Sequence, residues 1–293
     1  MNITNNNKIP APIYRAICQN WYSGAGADHF CSVTELLKPV KLLVLERRYK
    51  NMLEEEASDL IWSLMGSAMH KVLEASEHET SLNEERLFCQ VNGKTISGGV
   101  DLYEEGIISD FKFTSVWSYI YGNRRKEWAQ QLNLYAYLYM NAGFDVNKLQ
   151  VIAVFRDWSK LKARIQHDYP KQVMIIPIKL WDMSRIEQFI KERLFQLKIA
   201  LKLPDDAIKE CSQRERWQDD DMYAIMKKGN IRATKLCKSQ KQAEAYLKSN
   251  KDKDKLSINI RKSIPKRCED YCRVNKYCHF YRKQHPELFQ EAI

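Results

Sequence analysis

GGVDLYEEGIISDFK, residues Gly98 to Lys112, is the stretch from which the rest of the chain can be read. Glu104-Glu105-Gly106 marks a tight turn between two short strands; Leu102 and Tyr103 close the first, and Ile107 and Ile108 open the second. Side chains alternate along a strand, so Asp110 and Lys112 project to one side and Phe111 into the opposite layer. Across the hairpin, Asp101 comes close to Asp110. Two carboxylates brought together repel unless a positive charge sits between them. A hard divalent cation such as Mg²⁺ fills that role, because it prefers oxygen ligands and keeps several of its waters. A lysine two residues along can orient or deprotonate one of those waters, whose pKa the metal lowers. The same three residues also fit a surface hairpin whose charges face water, since D-x-K is a common pattern.

Flanking segments add to this. Upstream, residues 58–76 place Ile61, Leu64, Met65, Ala68, Met69, Val72 and Leu73 at helical spacing. His70 lies off that stripe, with Gly66 one turn earlier leaving space beside its ring. A lone histidine there also fits a structural role. Downstream, residues 127–140 form a second helical run, with Gln131 and Tyr135 four apart on one face.

A histidine on a helix, an aspartate, D-x-K, then Q-x-x-x-Y on a helix is an informative order. It resembles the RecB-like branch of the PD-(D/E)xK nuclease superfamily, which includes CRISPR-adaptation nucleases and many phage exonucleases. The matching segments are GSAMH ending at His70, GGVD ending at Asp101, SDFK ending at Lys112 and QLNLY ending at Tyr135. The likeness runs from about Ser32 to Arg156, takes in the C-terminal cysteines more loosely, and is nearest to stand-alone phage-encoded nucleases.

The resemblance implies a restriction-endonuclease-like α/β core, a mixed central sheet flanked by helices. It implies that His70, Asp101, Asp110 and the Phe111 carbonyl hold Mg²⁺ or Mn²⁺. Lys112 would position the attacking water or stabilise the developing phosphorane-like charge, and Gln131 and Tyr135 would steady the site or the substrate backbone. The implied activity is a deoxyribonuclease, an exonuclease serving DNA recombination, repair or phage replication, with recombination or replication proteins as further partners. Two departures stand out: Val100 replaces the family's proline before the first aspartate, and the second acid is Asp110 where glutamate is commoner. The competing class is a nucleic-acid-binding or assembly protein that keeps the fold without catalysis; retention of Asp101, Asp110 and Lys112 argues against it.

With 293 residues, 44% of them hydrophobic, the chain can build a substantial core. No stretch is long and apolar enough to span a membrane, and MNITNNNKIPAP at the start lacks an apolar signal core, so a cytoplasmic protein is expected. A net charge of +10 favours a polyanionic partner such as DNA. Lys227, Lys228, Arg232, Lys235 and Lys238, then residues 251–255 and 261–267, concentrate it in the last third, as a strand-binding channel or a solvated face. Arg47 and Arg48, and the trio Arg124, Arg125 and Lys126 beside Tyr119 and Tyr121, are further candidates for nucleic-acid contact or for plain surface.

From Ser32 the pattern predicts a helix capped by Ser32 or Thr34, a break at Pro39 and a second helical run to Lys50. Residues 86–91 read as a strand preceding the central hairpin in the same sheet, 149–158 and 172–178 as two more, and 180–203 as a long amphipathic helix. Strands flanked by helices predict an α/β core over residues 1–205. Residues 206–293 read as a small basic α/β subdomain: a hairpin at Gly229-Asn230, a helix over 239–248 and a strand over 256–261.

RCEDYCRVNKYCHF then places Cys268, Cys272 and Cys278 close together. In a reducing compartment such spacing points to metal ligation rather than disulfides. Thiolates so spaced wrap zinc or an iron–sulfur cluster, and a fourth ligand is needed. Cys211, where the subdomain begins, is favoured; Cys31 and His279 remain alternatives. The resemblance implies a structural [4Fe–4S] staple, with Zn²⁺ second.

Overall fold

The computed structural model describes residues 2–19, 29–75, 86–250 and 253–289. The strands among them are β1 (Asn2–Thr4), β2 (Cys31–Ser32), β3 (Glu54–Glu56), β4 (Arg86–Val91), β5 (Lys94–Gly99), β6 (Leu102–Glu104), β7 (Ile107–Thr114), β8 (Lys148–Phe155), β9 (Val173–Ile178), β10 (Met222–Lys227), β11 (Lys235–Cys237) and β12 (Leu256–Arg261). The helices are α1 (Ala11–Cys18), α2 (Val33–Leu37), α3 (Val40–Arg48), α4 (Ile61–Glu74), α5 (Val116–Ile120), α6 (Arg125–Asn141), α7 (Lys160–Ile165), α8 (Met183–Ala200), α9 (Gln240–Ser249) and α10 (His279–Gln284). None is long and apolar enough to cross a membrane.

The chain divides into two compact units, one of Met1–Lys38 and Lys50–Lys202, the other of Pro39–Tyr49 and Leu203–Ile293. Helix α3 therefore joins the C-terminal residues, not the 1–205 core in which the sequence had placed it. Its anchors explain this: Lys41 Nζ donates to the Ile208 carbonyl at 3.1 Å, and Arg48 pairs with Asp205. Arg48 is thus held by a carboxylate rather than free for phosphate.

The first unit is built on a mixed four-stranded sheet, β6-β7-β8-β9, in which β7 and β8 are parallel and the other pairs antiparallel. Parallel neighbours require a crossover, and α5 and α6 supply it. Leu149, Val151, Ala153 and Phe155 on β8 alternate inward, each no more than 1% exposed. They meet α6, whose Trp128, Leu132, Leu134, Tyr135 and Leu138 are buried in the same core. Fully burying a side chain of leucine size is worth ~1.5–3 kcal/mol, so the several such side chains on this helix contribute substantially to the unit's stability.

Residues 86–91 do form a strand, but not in the sheet of the central hairpin. β4 pairs with β5 in a separate sheet, β2-β5-β4. Asn92 and Gly93, at φ 50° and 68°, make the tight β4–β5 turn. The expected single strand through Gly98 and Tyr103 breaks at Val100-Asp101, where the chain passes from one sheet to the other. Helix α4 also departs from its amphipathic reading. None of its residues is buried, and Trp62, Met65 and Val72 are mostly exposed, because it packs beside β7 and α1 and not into the core.

The second unit contains the antiparallel sheet β11-β10-β12, with α9 packed against it through Ile225, Cys237 and Ala243. Elsewhere in it Tyr49 stacks on Tyr277, ring centroids 4.0 Å apart.

Candidate active site and cysteine pocket

Glu105 and Gly106 both have positive φ, 47° and 80°, as a two-residue hairpin turn requires. The Gly106 carbonyl accepts from the amides of Asn147 and Lys148, which ties the turn to the start of β8. A Cβ at Gly106 would lie 2.7 Å from the end of the Asn147 side chain, which would have to move aside. The turn sets the register: Glu104 faces Ile107, Tyr103 faces Ile108, and Leu102 faces Ser109. One step further, Asp101 meets the edge of β7 near Asp110.

That edge explains Asp101. β6 ends at Leu102, so the Phe111 amide, which has no strand partner on this side, donates to Asp101 Oδ2 at 2.7 Å. A residue's N–H and C=O leave the same edge of a strand, so the Phe111 carbonyl opens on the Asp101 side too. Asp101 Oδ1 lies 3.5 Å from His70 Nδ1, the histidine brought in by α4.

Asp110 is 3% exposed and lies in register with Val151, which is wholly buried. Asp110 and Lys112 share the face of β7 with Ile108, part of the core beneath α6. Lys112 Nζ lies 2.5 Å from Asp110 Oδ2, a close buried ion pair. Burial pulls the Lys112 pKa down, but the carboxylates of Asp110 and Asp101 outweigh it and the net shift is upward. Lys112 is therefore an ammonium at neutral pH in the metal-free protein, suited to orienting or donating rather than to deprotonating water. Arg124 opposes the shift, which places a second positive charge nearby.

Gln131 Nε2 donates to the Tyr135 hydroxyl at 3.1 Å on α6. The Tyr135 ring packs directly over Gly98 of β5. The structure thus links His70 to Asp101, Asp101 to Phe111, Asp110 to Lys112 and Gln131 to Tyr135. Among the described residues, no three His, Cys, Asp or Glu are positioned to hold a metal ion together. The donor types nevertheless suit a hard cation: carboxylates, an imidazole and a carbonyl. The Lys112 ammonium supplies the positive charge between the acids.

Sequence reasoning missed an aromatic surface in this unit. Trp117 and Tyr121 stack with centroids 5.7 Å apart, both exposed, and Lys162 lies 4.8 Å over Trp117. Their four-residue spacing was visible; helix α7, which brings Lys162, was not. Of the basic trio, Arg124 pairs with Glu127 at 3.0 Å, and Arg125 lies 6.0 Å from the Tyr119 ring centroid.

In the second unit, Cys211, Cys268, Cys272 and Cys278 line one pocket. Its walls include Leu42, Leu45, Val274 and Phe280. Burial pushes the Cys211 and Cys268 thiols up to about 12, and the neighbouring cysteines add to the effect. Burial likewise raises Cys272. Four sulfur atoms share this apolar wall, but no three of them are placed to hold one metal ion together; zinc or an iron–sulfur cluster bound there would bring those pKa values down. Lys41 and Arg216 line the same pocket, Lys41 being 2% exposed. Nothing in the apolar run around Lys41 had marked it as buried. Cys31 lies in the core of the first unit, and His279 is exposed at the start of α10.

No family model matches the chain, and no curated protein matches it. Among solved structures, SSO0001 is similar at 15% identity and TM-score 0.43, over 70% of this chain and 87% of that one. A "Putative exonuclease" from Eubacterium rectale is similar at 12% identity and TM-score 0.34, over 64% and 87%. Both likenesses are too distant to bear on function.

Proposed function

We propose that the first unit is a divalent-metal-dependent DNA nuclease, an exonuclease in DNA recombination, repair or phage replication. The observation that carries this is the placement of His70 and the Phe111 backbone on either side of the Asp101 carboxylate, next to the buried Asp110–Lys112 pair. His70, Asp101, Asp110 and the Phe111 carbonyl would hold the ion. Bound there, Mg²⁺ or Mn²⁺ supplies a Lewis acid for a phosphoryl oxygen and a water of lowered pKa.

The chain's own residues do the rest. Lys112, held beside Asp110, would donate to a phosphate oxygen as negative charge builds on it. The Phe111 amide fixes which Asp101 oxygen is turned away from the strand edge. The Gln131–Tyr135 hydrogen bond holds both polar tips in one place on α6, ready for the substrate backbone. Trp117 and Tyr121 offer a stacking surface for bases, with Lys162 for phosphate.

The four-cysteine pocket is read as a structural [4Fe–4S] site, with Zn²⁺ as the second choice; the thiolates Cys211, Cys268, Cys272 and Cys278 would hold either. The second reading, a binding protein without catalysis, is favoured by one observation: Lys112 and Asp110 already satisfy each other's charge. End-labelled single- and double-stranded DNA incubated with Mg²⁺, Mn²⁺ or EDTA separates the two. Cleavage that needs the metal and is abolished by Lys112→Ala supports the enzyme; absence of metal-dependent cleavage leaves the binding protein.

A further inference from the structure

Residues 222–262 contain twelve Lys and Arg against three Asp and Glu, a net of +9, while the whole chain carries +10. Everything outside this segment is therefore nearly neutral. The segment is the β10–β11–α9–β12 unit, and the cluster that joins its helix to its sheet is small: Ile225, Cys237 and Ala243. Its described charges are exposed.

The fold gathers some of them at one end. β10 runs antiparallel to β12 with Lys227 opposite Leu256, and the Lys228 amide donates to the Lys255 carbonyl at 3.0 Å. The β10–β11 turn and the start of β12 thus share one end of the sheet, where Lys227, Lys228, Arg232 and Lys255 are all exposed, beside Asp254. The turn is ordered by Asn230 N to Lys227 O at 2.9 Å and Thr234 N to Ile225 O at 2.8 Å. At its tip Ile231 is 95% exposed, so its apolar side chain contributes nothing to folding.

We infer that this end of the 222–262 unit is a second nucleic-acid contact, in which Lys227, Lys228, Arg232 and Lys255 grip the sugar–phosphate backbone and Ile231 lies against the bases. A duplex carries one charge per ≈ 1.7 Å, which matches so dense a cationic edge. Apolar side chains set among cations are a recurring device for wedging base steps apart, and an acidic peptide gives Ile231 no such partner. The inference shares with the proposed function the reading of nucleic acid as ligand, but it requires no catalysis.

The test is the salt dependence of DNA binding by the full chain in EDTA, followed by fluorescence anisotropy on a labelled duplex. Replacing Lys227, Lys228, Arg232 and Lys255 together by Gln lowers the slope of log Kd against log salt by ~0.9 for each phosphate left without its cation, about 3 to 4 in all. Ile231→Ser weakens binding and leaves the slope unchanged. Melting temperatures equal to wild type show that both variants fold. An unchanged slope in the quadruple variant overturns the inference, as does displacement of the wild type by polyglutamate as readily as by DNA. If the wild type cuts nothing while the slope still depends on these four cations, the nuclease reading fails and this one stands. If it cuts and the slope does not move, the reverse holds.

Discussion

Gly98→Ala tests how the site is framed. A Cβ at this position would lie 2.8 Å from Tyr135 Cε1 and 2.9 Å from Leu138 Cδ1. Ordinary carbon contacts begin near 3.5 Å, so both side chains must retreat by roughly 0.6 Å or α6 must tilt. Neither has room, since Tyr135 is 6% exposed and Leu138 1%. Overpacking of this kind costs about 1–3 kcal/mol. For a unit of this size ~2 kcal/mol lowers the melting temperature by about 4–8 °C. Because Tyr135 moves, metal-dependent cleavage should fall by more than the loss of folded protein explains. Leu138→Ala removes one of the two clashes, so the double variant should be less destabilised than the sum of the single ones. Thermal melts and denaturant titrations of the three variants measure the cycle. If Gly98→Ala melts with the wild type and the cycle is additive, the close approach of α6 to β5 is wrong.

Asn133 is fully buried and binds the Lys179 carbonyl at 3.0 Å and the Trp181 amide at 2.7 Å, pinning the segment between β9 and α8. Asn133→Ala leaves both unsatisfied at ~1–3 kcal/mol each, so urea titration should show a loss near 3 kcal/mol; a loss below about 1 would contradict this. Asp157 is desolvated, which raises its pKa, but the Ser115 hydroxyl and the Val116 amide outweigh that and hold it below the usual carboxylate range. A lowered folded pKa contributes stability above the unfolded value, ~3.9, that is lost as pH falls through the folded one. Asp157→Asn should therefore melt below wild type at neutral pH, with the gap closing under about pH 4. Cys272→Ser should abolish metal or cluster content in anaerobically purified protein and lower the stability of the second unit. DNA cleavage per folded molecule should persist; loss of cleavage with metal content intact would assign the cysteines to catalysis instead.

Local chemistry made much of this fold readable. Of the two cap candidates it is Ser32 that caps α2, in a capping box with Glu35, and Pro39 separates α2 from α3. The tight turn at Glu105-Gly106 and the hairpin connection through Gly229-Asn230 were visible as turn residues between apolar runs. Asn92-Gly93 was an equally strong turn signal, and taking it at face value would have found β5. What the letters do not carry is which elements meet. The periodicity of α4 shows an apolar stripe but not whether anything covers it, and here none of it is buried. Lys41 looks like a surface residue until the Ile208 carbonyl, far along the chain, accepts its hydrogen bond. In the site, alternation correctly put Asp110 and Lys112 on one face of β7. That Asp101 would be held by the Phe111 amide depends on where β6 ends, which is a matter of tertiary packing.

The most direct measurement is an anomalous difference map from crystals soaked in Mn²⁺. A single peak ~2.0–2.3 Å from the carboxylates of Asp101 and Asp110, with His70 and the Phe111 carbonyl completing the shell, is the expected result. No peak there, or a peak elsewhere while His70 and Asp110 stay out of ligand range, would contradict the account.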